Sequence, residues 1–158
     1  MQTEIATTKP ASPSTLTLRQ AEAIKTSLPP LRGQYPTSRD EVERVKAALS
    51  DLGQPAPPQW IAQRVVKLLS HYFVADLHPE ALKGVAADWQ RELSGLPEWA
   101  VDAACAWWLS RHNAKRRNKP MPGDISEQAH KEAAIVKIGE KVIENYERYG
   151  DSPPAFLK

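Results

Sequence analysis

Residues 79–125, PEALKGVAADWQRELSGLPEWAVDAACAWWLSRHNAKRRNKPMPGDI, decide how this chain folds. Pro79 suits the first turn of a helix, where its missing N–H costs nothing. From there Leu82, Val85, Ala86, Trp89 and Leu93 recur at helical spacing, with Lys83, Asp88, Gln90, Arg91 and Glu92 between them. Ser94-Gly95 stops this helix, and Leu96-Pro97 opens another. The second helix carries two apolar stripes, one of Val101, Ala104, Cys105 and Trp108, the other of Trp99, Ala103 and Trp107. Two stripes fit a helix packed between two neighbours. The alternative is one core face plus one face for a protein partner, anchored by Trp99 or Trp107, although aromatics on helices are mostly core.

Arg111, Lys115, Arg116, Arg117 and Lys119 come next, five cations in nine residues. Cations complement a helix C-terminus, but this density exceeds what capping requires. A solvated tail and a nucleic-acid-binding patch with salt-dependent affinity both remain open. No aromatic stands between these residues in sequence, so no stacking platform is indicated. Pro120-Met121-Pro122-Gly123 breaks the helix. Asp124 reads as an N-cap with Glu127 three residues on, which starts the last helix at Ile125.

Outward from this stretch every long apolar segment has helical spacing, and no alternating strand pattern occurs. The fold class is all-α: a small helical bundle with a disordered N-terminal tail and a long C-terminal helix. Residues 1–36 form a flexible segment; positions 1–15 are too polar to offset the cost of ordering, and 16–28 read either as a short helix or as a segment that folds only against a partner. Residues 37–53 form an amphipathic helix, opened by a capping box of Ser38 and Glu41 and lined by Val42, Val45, Leu49 and Leu52. Residues 58–124 form the helical core. In it the segment from Trp60 to Phe73 buries Ile61, Val65, Leu68, Leu69 and Tyr72, broadened by Trp60, Val66 and Phe73, with Arg64 and Lys67 toward solvent. The last helix spans 125–150, about 37 Å at 1.5 Å per residue. It is longer than the core is wide, so part of it projects or packs on a partner or a second copy, with Tyr146 and Tyr149 as contact candidates. Gly139 weakens it midway, and 151–158 form a tail.

The chain has 158 residues, with 21 Lys and Arg against 19 Asp and Glu, a net charge of +2. This excludes a global polyanion-coating character; the basic charge is local. A single cysteine excludes an internal disulfide and a Cys-based zinc site, and fits a reducing cytoplasm. Cys105, between two alanines, reads as a buried small hydrophobe. No metal, cofactor or catalytic site is expected: the four histidines have no ligand spacing, and the seven glycines form no phosphate loop. No stretch reads as a membrane span or signal peptide.

Residues 65–125 resemble the phage and prophage proteins that load or inhibit a replicative helicase. The resemblance rests on LLSHYF, then VAADWQREL, then GLPEWAVDAACAWWL, then the proline-bearing loop KPMPGDI. Trp89, Leu93, Ala104 and the loop 120–125 carry most of it. In that family the loop usually has an aromatic near its prolines; here Met121 stands there. The resemblance implies a non-enzymatic, cytoplasmic adaptor of phage DNA replication, with a hexameric replicative helicase as partner and an origin-binding protein as a second candidate; DNA as a partner is suggested by the basic cluster instead. The residues alone also admit a small DNA-binding regulator acting through Arg111, Lys115, Arg116, Arg117 and Lys119, or a phage inhibitor of a host protein.

Overall fold

The computed structural model describes residues 15–73 and 75–158. The expectation of disorder over 1–15 falls almost wholly outside these residues. Six α-helices occur among the described residues: α1 Leu18–Ser27, α2 Arg39–Leu52, α3 Pro58–Leu69, α4 Pro79–Leu93, α5 Glu98–Leu109 and α6 Pro122–Tyr149. Short 3-10 turns cover Pro29–Arg32 and Ala155–Leu157, and no strand is present among the described residues. The all-α class is therefore observed, with the long C-terminal helix in place.

Local chemistry fixes most helix ends. The Thr17 hydroxyl accepts from the Gln20 N–H while the Gln20 side chain accepts from the Thr17 N–H, a reciprocal cap that pins α1. At α2 only half of the expected box forms. Ser38 Oγ accepts from the Glu41 N–H at 3.2 Å, but Glu41 turns to the Thr37 N–H (2.7 Å) and hydroxyl (2.9 Å). Gly95 takes φ 84°, the left-handed turn expected between α4 and α5.

Helix α6 starts at Pro122, three residues earlier than Asp124 as N-cap would place it. Proline is preset for the first helical position, and Asp124 instead reaches back so that its Oδ2 accepts from the Met121 N–H at 2.8 Å.

Two apolar clusters form the interior, and α5 belongs to both. Val101, Ala104, Cys105 and Trp108 pack with Ile61, Val65, Leu68, Trp89, Leu93, Ile125 and Ala129. On the other side Trp99 and Ala100 pack with Ala21, Leu31, Val45 and Leu52. The first expected stripe of α5 is buried whole; of the second only Trp99 is buried, beside Ala100, while Ala103 is partly buried and Trp107 exposed. Helix α6 runs along both clusters, touching α2, α4, α5 and the first 3-10 turn. It does not project as its length suggested, because the core includes α1 and α2 as well as 58–124.

Gly139 supports this packing. A Cβ there would lie 2.7 Å from Leu49 Cδ2 and 2.9 Å from Leu31 Cδ2, so the missing side chain lets α6 approach α2 closely. The α2–α6 contact is reinforced by Glu147, which pairs with Arg39 (2.7 Å) and Lys46 (3.1 Å). Those two hydrogen bonds hold the Glu147 carboxyl below its ordinary pKa.

Helix α3 departs from expectation on its outer side. It ends at Leu69, and Val66 and Phe73, expected to broaden the buried face, are exposed, Phe73 at 91%. Arg64, expected in solvent, folds against α5, where its Nε donates to Asp102 Oδ1 at 2.8 Å. Long side chains can bury their stems this way while pairing the charge.

Candidate interaction surface

Helix α5 ends at Leu109, so the basic residues do not sit on a helix C-terminus as the sequence reading placed them. They stand on a loop, 110–121, that is tied down from several directions. Asn113, nearly buried, is its pivot: Nδ2 donates to the Trp108 carbonyl at 2.8 Å, and Oδ1 accepts from the Lys115 N–H at 3.0 Å. Trp108 Nε1 donates to the Asn118 carbonyl at 3.1 Å. Tyr72, just beyond α3, donates to the Arg116 carbonyl at 2.7 Å. The loop's peptide groups are bonded inward, and its charged side chains are left facing outward.

Arg111, Lys115, Arg116, Arg117 and Lys119 are all exposed. Among the described residues none of the five enters an ion pair; Arg19, Arg32, Arg44, Lys67, Lys137 and Lys158 enter none either, but they are scattered, whereas the loop gathers five unpaired cations in nine residues. The positive charge here is thus uncompensated by the protein. Arg116 also donates from Nη1 to the Asn113 carbonyl at 3.3 Å, which restrains its guanidinium.

The partner-binding candidates divide. Trp107 is 38% exposed and meets Trp108 edge-on, with ring centroids 6.4 Å apart. It forms one wall of a cleft of about 310 Å³ whose other walls include His112, Lys115, Glu127 and Lys131. An aromatic therefore does stand beside the basic loop, contributed by the preceding helix turn; sequence order had concealed it. Such a cleft can receive a flat ring beside a cation. Glu127 across the cleft is paired with Lys131 at 3.1 Å.

Trp99 is not a surface residue. It is 1% exposed, and its Nε1 donates to the Leu52 carbonyl at 2.9 Å, closing the C-terminal end of α2. Tyr146 is likewise buried. Its hydroxyl donates to Asp151 Oδ1 at 2.7 Å, Arg39 lies over its ring at 5.3 Å, and Tyr35 packs at 5.9 Å. The bond to Asp151, followed by burial, raises its pKa. Both residues were proposed as partner anchors from sequence; both hold the fold instead. Tyr149 is half-buried, with Arg148 over its ring at 5.9 Å.

No cluster of three or more His, Cys, Asp or Glu side chains suited to a metal ion occurs among the described residues. No described helix is long and apolar enough to cross a membrane. Burial pushes the Cys105 thiol up to about 11, which keeps it protonated.

Comparison with family models, curated proteins and solved structures finds no match to this chain.

Proposed function

We propose that this chain is a non-enzymatic adaptor of phage DNA replication, working in the cytoplasm of a bacterial host. In this reading it binds a replicative helicase, to load or to inhibit it, and holds nucleic-acid phosphates on the loop 111–119. The observation that carries the DNA contact is the uncompensated charge of that loop on an anchored backbone. Fixed cations lose little freedom on meeting a polyanion, and each phosphate contact releases counterions from DNA. Trp107 beside the loop offers a face on which a base can stack. The helicase contact is supported by the resemblance of residues 65–125 to helicase loaders and inhibitors, whose shared positions Trp89, Leu93 and Ala104 all lie in one buried cluster.

The loop is tested by DNA binding across a salt series. The unmodified chain is expected to lose affinity steeply as salt rises. Replacing Arg111, Lys115, Arg116, Arg117 and Lys119 together by Gln is expected to flatten the slope of log K against log salt by about 4, close to one counterion per contact. An unchanged slope in the Gln variant, with its helix content retained, would remove the loop from the interface.

A further inference from the structure

Helix α4 has a half-buried end and a bare end. Trp89 and Leu93 are buried, yet every residue from 79 to 88 is exposed. Leu82 (48% exposed) and Val85 (39%) are on the bare part, two turns and one turn before Trp89 respectively. Across from them lie Val65, Val66 and Leu69 of α3. The trough continues past Leu82, Val85 and Trp89 to Leu77 and Met121. Its two lobes hold about 180 and 210 Å³ and share Leu69, Leu82, Val85 and Trp89. Each lobe is smaller than the roughly 300 Å³ of the smallest ordinary ligand pocket. From Leu82 to Trp89 the floor runs about 10 Å along α4. Such a concave apolar strip fits two or three side chains spaced along a helix better than one compact small molecule.

Charge decides what kind of helix fits. Lys119 lines the trough at its Met121 end and has no ion-pair partner among the described residues. Asp88, the acid that lines the trough, pairs with Arg91 at 2.7 Å, and Glu80 on the same helix pairs with Lys83 at 3.5 Å. An occupant with a carboxylate beside its apolar face would meet the unpaired Lys119. A second copy presenting the same face fits poorly, since two concave troughs cannot fill each other and their basic ends add repulsion. A nucleic-acid backbone has no apolar ridge to enter it.

We propose that the trough between α3 and α4 is the seat for an amphipathic, acidic helix of a protein partner. The proposal rests on the adaptor reading only in requiring a protein partner. Its test uses neither DNA nor helicase, so its failure and the failure of that reading are distinguishable.

The probe is a random peptide library displayed on phage, of about sixteen residues, enough to span the trough with a helical turn at either side. The target is the full chain, and the counter-target is the Val85→Glu variant. Val85 is exposed, so glutamate there leaves the core intact; Leu82→Glu and an unchanged melting curve serve as controls. Enriched peptides are expected to carry apolar residues at i, i+4 and i+7 with Asp or Glu beside them. Synthesised singly, they are expected to bind about tenfold or more weakly to either variant, as loss of a central apolar contact costs. Lys119→Glu is expected to weaken the acidic peptides selectively. The proposal is overturned if no peptide is enriched over the counter-target, or if enriched peptides are basic or carry no acidic residue. It is also overturned if binding ignores both glutamate variants. A native dimer that Val85→Glu converts to monomer would assign the face to a second copy instead, and would equally overturn it.

Discussion

Truncating Asn113 to alanine removes the donor to the Trp108 carbonyl and the acceptor for the Lys115 N–H in one step. The side chain is buried, so water replaces neither bond well. The Asn113→Ala variant is expected to lose about 2 kcal/mol of stability, read from a denaturant midpoint. It is also expected to bind DNA more weakly though all five cations remain, because the backbone that presents them loosens. Cys105 gives a second prediction at this scale. Its thiol, raised by burial, stays protonated at neutral pH and is expected to ignore a thiol-modifying disulfide reagent until the chain is unfolded. The sign in alkali follows. Between the ordinary thiol value of 9.0 and about 11, the unfolded chain gives up a proton that the native chain keeps, so this group's contribution to stability falls as pH rises through that window.

Among the elements, α4 and the loop 110–121 look alike in exposure but differ in anchorage. The loop's peptide groups bond to the side chains of Trp108, Asn113 and Tyr72; the first turns of α4 are exposed, with an apolar edge toward α3, the His78 cap on Glu80 and the local pair Glu80–Lys83. Amide hydrogens over 82–88 are expected to exchange well before those over 101–108, where Val101, Ala104, Cys105 and Trp108 are buried. Equal protection in the two segments, measured by hydrogen exchange, would mean that α4 is braced by contacts other than those described. The same comparison shows what was legible in the sequence. Helix periods and the Gly95 stop could be read directly, because they depend on neighbours three or four residues away. The starts of α2 and α6 were harder. Ser38 competes with Thr37 for Glu41, and Pro122 competes with Asp124 for the start of α6; sequence alone does not rank such close rivals. Trp99 and Trp107 share one stripe by spacing, yet only the arrival of α2, whose Leu52 carbonyl accepts from Trp99, decides which is buried. Asn113 gave no sequence signal beyond being a polar residue near a helix end.

At the scale of the molecule, α5 and α6 join two apolar clusters, and the two outward features meet at one residue. Lys119 belongs both to the basic loop and to the wall of the α3–α4 trough. An occupant of the trough would therefore lie beside whatever the loop holds, which is the arrangement an adaptor between a protein and DNA needs. The most direct test is size-exclusion chromatography with light scattering of the chain, the replicative helicase of its host, and a short DNA, alone and together. A complex heavier than the helicase alone is expected, retaining DNA with the native chain and losing it with the five-Gln loop variant while the protein complex persists. Elution of the chain at its own mass, apart from the helicase at micromolar concentrations with and without DNA, would contradict the adaptor function.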